Sequence, residues 1–190
     1  MLFTILGVLS AVVFILGDIP YLSDTLKAKI KPQRVTWGVV FLLNMIGFAN
    51  QYASGADNSL WLFAAAVLMT GAIFLASIKN GVGGYAKLDI FSLVASFVGI
   101  VLWQVFDSPL LSILANMFVG VVALIPTFVK TQRHPETENG IAWLAGSVSA
   151  LMAAVSVGKF DVTLLLLPVT SALLQSYMVY LLYIRQIPKK

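Results

Sequence analysis

Seven long apolar runs account for most of this 190-residue chain, and only short polar breaks separate them. Each run is close to the length of about 20 residues that crosses the hydrocarbon of a bilayer. Lipid offers no hydrogen-bond partner to an open backbone, so each run is predicted to be a helix. The sequence therefore predicts an all-α integral membrane protein with seven transmembrane helices, at residues 2–25, 35–53, 59–78, 88–106, 109–130, 140–157 and 162–184.

The composition excludes several classes of protein. Apolar residues make up 59% of the chain and charged residues 11%, which is too apolar for a soluble domain. With no cysteine, the chain has no disulfide, no thiolate metal ligand and no thiol nucleophile. The basic residues lie between apolar runs instead of forming one face, so the expected partner is a lipid bilayer and not nucleic acid.

The basic residues also predict an orientation. The linkers after the first, third and fifth runs, together with the C-terminus, hold 11 of the 12 Lys and Arg residues. Only Lys159 lies on the other side. By the positive-inside rule the C-terminus is cytoplasmic and the N-terminus is outside, and we expect a plasma membrane of the bacterial type. The first run lacks a basic leader and a small-residue cleavage pattern, so we interpret it as a spanning helix and not a signal peptide.

The chain repeats its own pattern. Trp37 follows Pro20 by 17 residues, Trp143 follows Pro126 by the same interval, and the two pairs are 106 residues apart. Each pair brackets a basic linker. Two three-helix units of the same orientation require one inverting helix between them, and the fourth run supplies it. The predicted organisation is a first bundle at 1–80, a linker helix with its preceding loop at 81–107, and a second bundle at 108–190.

These features resemble the SWEET and PQ-loop transporter superfamily, in which a single helix joins two parallel three-helix bundles. Pro20, followed by the basic turn from Lys27 to Lys29, is similar to the family's proline late in the first helix. Pro32-Gln33 matches the dipeptide that names the PQ-loop proteins, and Tyr52 matches a tyrosine that ends the family's second helix. The second half repeats the proline and the basic turn from Pro126 to Arg133. The resemblance implies solute transport by alternating access.

The chain also departs from the sugar carriers of that family. Their additional prolines are replaced by Gly38 and Leu144, and the tryptophan that would stack on a sugar would fall near Ala49 and Val155. Thr70 is the polar residue nearest the position where an asparagine is expected in the third helix. The departures argue against a sugar as the substrate.

Asp18 is the sharpest candidate for a functional residue. A carboxylate within lipid costs at least ~2.5 to 3.5 kcal/mol on insertion scales, so such groups usually face a cavity or a partner. Asp18 is predicted to accept a proton or to bind substrate. The alternative is a carboxylate at the rim, hydrogen-bonded to a neighbouring helix or paired with a linker lysine.

The remaining candidates are amides, hydroxyls and indoles on predicted helices. Trp37, Asn44 and Gln51 recur at intervals of seven and share a helix face. That face suits either a hydrated pathway or interhelical hydrogen bonds, which are worth roughly 0.6 kcal/mol each in membranes. The predicted substrate-binding set is Asp18, Trp37, Asn44, Gln51, Asn116, Trp143, Ser171 and Gln175.

Pro20 and Pro126 are predicted to act as hinges, because proline removes a helix hydrogen bond at the same point of each half. The alternative is a static kink. Pro168 has no counterpart in the third run.

The favoured hypothesis is a transporter or facilitator of a small polar solute, with coupling to protons through Asp18 as an option. The alternative is a membrane receptor or binding protein without net transport. An enzyme is not expected, because no His pair, Cys or carboxylate cluster supplies catalytic or metal-ligating groups. Neither a cofactor nor a metal is expected, and a homo-oligomer is compatible with the interpretation.

Overall fold

The chain forms seven α-helices and no β-strand within the residues that the computed structural model describes, which are 1–84, 86–105 and 109–184. The predicted all-helical fold is confirmed for these residues. The break between the predicted runs 88–106 and 109–130, and the basic residues of the C-terminus, lie outside them. The helices are α1 (Leu2–Leu26), α2 (Arg34–Ala53), α3 (Leu60–Asn80), α4 (Lys87–Val105), α5 (Pro109–Arg133), α6 (Gly140–Ser156) and α7 (Val162–Tyr183).

Four of the described helices, α1, α3, α5 and α7, are long and apolar enough to cross a membrane. The outer surfaces of these helices carry large apolar side chains, for example Leu68 on α3, Phe118 on α5 and Leu173 on α7, each more than 60% exposed. An aqueous surface does not tolerate so much apolar area, so the chain is a membrane protein. Helix α2 is less apolar because of its amides, and α6 is shorter, at 17 residues.

The main contacts between helices follow a repeated pattern, for which we group α1, α2 and α3 as one set and α5, α6 and α7 as the matching set. Helix α3 contacts both α1 and α2, and α7 contacts both α5 and α6. The sets meet through α1 against α6 and through α2 against α5. Exchanging α1, α2 and α3 for α5, α6 and α7 therefore leaves this list of contacts unchanged. Helix α4 packs mainly on α5.

Small residues allow the close approach of α1 and α6. A Cβ added at Gly17 would collide with the methyl group of Ala145, so the two backbones lie nearly in contact there. Ala150 and Ala153, both fully buried on α6, continue this surface. Small residues are the usual means by which membrane helices pack closely.

The first linker is fixed against the end of α3. Gln33 forms an isolated parallel bridge with Val82, and the guanidinium of Arg34 donates to the carbonyls of Ser77, Gly81 and Gly83. The buried amide of Gln33 also donates to Asp89 at the start of α4. The Pro32-Gln33 segment thus joins the first linker to the loop between α3 and α4.

Candidate functional site

A cavity of about 150 Å³ lies between the two matching sets of helices. Residues of α1, α2 and α3 line one side, and residues of α5, α6 and α7 line the other; no described residue of α4 contributes. On α1 the lining residues are Phe14, Asp18 and Tyr21, at the spacing of four and three that places side chains on one helix face.

Seven of the eight predicted substrate-binding residues line this cavity. The sequence spacing placed them on helix faces, and the packing of the two sets brings those faces together. They are Asp18, Trp37, Asn44, Asn116, Trp143, Ser171 and Gln175.

Gln51 does not line the cavity. It is fully buried at the end of α2, where its amide donates a 3.2 Å hydrogen bond to the carbonyl of Leu164. Gln51 shares a helix face with Asn44, but it lies two turns further along the axis, beyond the end of the cavity. Of the two interpretations given for this stripe, the interhelical hydrogen bond is the one that Gln51 adopts.

Asp18 is buried, with 5% of its surface exposed, and its Oδ2 atom has no hydrogen-bond partner among the described residues. The alternative of a rim carboxylate paired with a linker lysine does not match the ion pairs that are present, since Lys29 pairs with Asp24 and Lys130 with Glu138. A buried carboxylate oxygen without a partner is costly. Asp18 therefore presents an unused acceptor at the cavity wall.

The amides and hydroxyls around Asp18 are partly engaged with each other. Asn44 donates to the hydroxyl of Thr70 at 3.4 Å, and Asn116 donates to the carbonyl of Leu43 at 3.1 Å. Gln175 donates to the hydroxyl of Ser171 at 3.1 Å. These bonds orient the side chains, and the carbonyl oxygen of Gln175 packs against Gly146 of α6. The carbonyl oxygen of Asn44 takes no part in these bonds and can act as an acceptor for a solute.

A layer of hydrogen-bonded side chains lies at the end of the cavity nearest the basic linkers. We call the set of Tyr21, Trp37, Lys130, Glu138 and Trp143 the linker-end layer. Trp37 Nε1 donates to the hydroxyl of Tyr21 at 3.2 Å, and that hydroxyl donates to Oε2 of Glu138 at 2.8 Å. Trp143 Nε1 donates to the same Oε2 at 3.1 Å.

Lys130 completes this layer. Its ammonium group donates to Oε1 of Glu138 and, at 2.7 Å, to the carbonyl of Lys31. The side chain of Glu138 is fully buried and that of Lys130 is 13% exposed. Glu138, which lies between α5 and α6, therefore bonds to helices of both matching sets.

Sequence reasoning missed the role of Glu138 and Tyr21. Glu138 lies in a polar linker next to His134 and Glu136, where a solvated position is the usual expectation. His134 and Glu136 do have exposed side chains, 3.3 Å apart. The only local hint was that Trp143 follows Glu138 by five residues, close to the start of α6.

Pro20 and Pro126 both lie inside continuous helices, α1 and α5. Each is one residue from a side chain that bonds across the middle of the molecule. Tyr21 bonds to Glu138, and Thr127 donates a 2.9 Å hydrogen bond to Thr36. The predicted hinges therefore lie beside the contacts that would have to change if the two sets of helices moved.

Comparison of the chain with protein-family models, with curated proteins and with solved structures finds no match. The fold and the site alone define its class, an α-helical membrane protein with a cavity between its helices that combines one carboxylate with aromatic rings and amides.

Proposed function

We propose that this protein is a SWEET-like transporter or facilitator of a small polar solute. It works by alternating access between two three-helix bundles, residues 1–80 and 108–190, joined by the inverting helix α4 in 81–107. All seven helices span the membrane in this proposal, with the N-terminus outside and the C-terminus in the cytoplasm of a bacterial-type cell.

The matching contacts of the two helix sets support this arrangement. Residues 106 positions apart also line the same cavity: Asp18 and Leu124, Thr36 and Ala142, and Trp37 and Trp143. The rings of Trp37 and Trp143 lie 6.1 Å apart, centroid to centroid. Equivalent residues meet in this way when a pseudo-twofold axis passes between two copies of one unit.

The observation that carries the proposal is a cavity lined by both helix sets, with the hydrogen-bonded linker-end layer at one end. Alternating access requires a central site and a barrier that can open. Opening toward the basic linkers would break the bond from Tyr21 to Glu138, because α1 belongs to one helix set and the linker that carries Glu138 belongs to the other. Asp18 at the cavity wall is suited to bind the solute or a proton.

The test is solute uptake into proteoliposomes, with a panel of sugars, amino acids and amines. A matched pair of variants controls for the cavity. Gly120→Trp fills it, because only Leu43 lies near the position of a Cβ at Gly120, while Leu173→Trp changes an exposed residue of α7. We expect Gly120→Trp to abolish uptake and Leu173→Trp to retain it.

Two other outcomes are decisive. Saturable binding without uptake of any solute would reject transport and favour a receptor. Uptake that survives Gly120→Trp would show that the central cavity is not the pathway.

The seven-span topology has its own test, since the chain has no native cysteine. Asp57→Cys, between α2 and α3, and His134→Cys, between α5 and α6, should react with an impermeant maleimide from opposite sides of the membrane. Reaction of both from the same side would reject the 3+1+3 arrangement.

A further inference from the structure

Charge distinguishes the classes of solute that the cavity could accept. Asp18 is the only charged residue among the described residues that line it, and no Lys, Arg or His contributes. Lys130, the basic residue nearest to the linker end, is already bound to Glu138. A solute with a positive charge would find a partner here, whereas an anion would face a carboxylate.

Aromatic rings surround the same space. The cavity is lined by the aromatic residues Phe14, Tyr21, Trp37, Phe63 and Trp143. The rings of Tyr21 and Trp37 are 5.0 Å apart, centroid to centroid. The face of an aromatic ring carries negative charge density that attracts a cation within about 6 Å, most strongly for tryptophan. A carboxylate next to aromatic faces is a combination that favours an organic ammonium group over a neutral sugar.

The volume of the cavity restricts the size of the solute that it can hold. A cavity of about 150 Å³ holds a molecule on the order of benzene in size. The absence of a basic residue from the described lining also disfavours amino acids, because their carboxylate would have no positive partner.

We propose that the solute is a small organic cation, an ammonium compound without a carboxylate, bound in the cavity that Asp18, Trp37 and Trp143 line. This inference rests on the proposed function of the cavity as a solute site. The carboxylate of Asp18, whose Oδ2 atom has no hydrogen-bond partner among the described residues, pairs with the ammonium group. The amide of Asn44 offers its carbonyl oxygen to a hydroxyl of the same molecule.

The probe is choline, measured by titration calorimetry with the full chain in nanodiscs. Two matched compounds isolate the charge. The alcohol 3,3-dimethyl-1-butanol has the shape of choline without its charge, and glycine betaine has the same ammonium group with a carboxylate added. We expect choline to bind, and both other compounds to bind on the order of 10- to 100-fold more weakly, because the alcohol lacks the charge that pairs with Asp18 and the aromatic rings, and betaine carries a carboxylate that Asp18 repels.

Asp18→Asn should weaken choline binding by a similar factor. Asp57→Asn, which removes a carboxylate from an exposed turn between α2 and α3, should leave it unchanged. Thermal unfolding of both variants checks that they fold. If Asp18→Asn does not fold, the comparison of choline with its neutral analogue on the wild-type chain decides the question alone.

Several results would overturn the proposal: equal binding of the neutral alcohol, unchanged choline binding by Asp18→Asn, binding of sodium or potassium alone, or no binding of choline, ethanolamine or tetramethylammonium. The uptake assay distinguishes a failure of the organic-cation proposal from a failure of the proposed transport function. Uptake of a neutral solute without choline binding would leave a transporter of another substrate class. Choline binding without any uptake would leave a cation-binding membrane protein.

Discussion

The hydroxyl of Tyr21 donates a 2.8 Å hydrogen bond to Oε2 of Glu138, and both residues are buried although 117 positions separate them in the chain. Tyr21→Phe would remove this donor and leave Trp37 Nε1 without its acceptor. A buried polar group left unsatisfied costs about 1–3 kcal/mol. In the proposed mechanism this cost falls on the state that is closed at the linker end.

Tyr21→Phe is therefore expected to populate the state that is open toward the basic linkers. A single reporter cysteine, Ser171→Cys, lies in the cavity wall. Its reaction with an impermeant maleimide from the linker side should accelerate on the order of tenfold. The control is Tyr52→Phe, since Tyr52 is 70% exposed. An unchanged rate with Tyr21→Phe would show that this bond is not part of a gate.

The buried ion pair between Lys130 and Glu138 is expected to contribute more to the stability of the fold than an exposed ion pair does. Lys130→Met leaves the fully buried Glu138 carboxylate without its cation, and breaking a buried pair in this way costs about 3–5 kcal/mol. Lys130→Met combined with Glu138→Gln should recover much of that loss, because no unpaired charge remains. Thermal unfolding in detergent measures both variants.

Lys29→Met provides the comparison for that ion pair. Lys29 lies 3.9 Å from Asp24, with 66% of its side chain exposed, and exposed pairs are worth about 0–1 kcal/mol. Equal losses of stability from Lys29→Met and Lys130→Met would contradict a structural role for the buried pair.

We expect the stability of the fold to depend on pH through Asp161. This partly buried carboxylate precedes the first residue of α7, where it accepts a 3.2 Å hydrogen bond from the backbone N–H of Leu164 and lies 3.2 Å from the Lys159 ammonium. The backbone hydrogen bond, followed by that from Lys159, lowers the pKa of Asp161 below its ordinary value of 3.8. A lowered pKa in the folded state stabilises the fold above pH 3.8, and the contribution disappears as the pH falls through the lowered pKa.

Asp161→Asn keeps an oxygen that can cap the helix but does not titrate. Its melting temperature should therefore change less between pH 6 and pH 3 than that of the wild-type chain. If the melting temperatures of the variant and the wild type fall equally in acid, Asp161 does not contribute to the pH dependence of stability.

The sequence was sufficient for the helices and for much of the cavity wall. Seven apolar runs predicted seven helices because hydrophobic length is a local property, and the predicted run 35–53 differs from α2, Arg34–Ala53, by one residue. The polar residues of the cavity wall could also be predicted from the sequence. A carboxylate such as that of Asp18 is costly to place within an apolar run, so it usually faces a cavity or a partner. These inferences need only the spacing of residues along one helix.

Glu138 and Gln51 show where such inferences fail. The burial of Glu138 arises because Tyr21 and Trp143 converge on it from α1 and α6, and nothing in its own linker indicates that. Helical periodicity placed Gln51 on the correct face of α2, but it does not tell how far the cavity extends along the axis. Both properties depend on how the helix sets pack against each other.

The two repeated prolines should separate a hinge from a static kink. Pro20→Ala and Pro126→Ala each restore a backbone donor to a helix interior, where proline is about 3 kcal/mol less favourable than alanine. If α1 and α5 must bend at these prolines during alternating access, stiffening either helix slows that step. The expected result is a reduction in uptake on the order of tenfold, which corresponds to about 1.4 kcal/mol in the barrier.

Pro168→Ala is the matched control, because Pro168 is also inside a helix but has no counterpart in α3. Retained uptake in Pro20→Ala and Pro126→Ala would make both prolines elements of packing, whereas loss in all three variants would deny the repeated pair a special role.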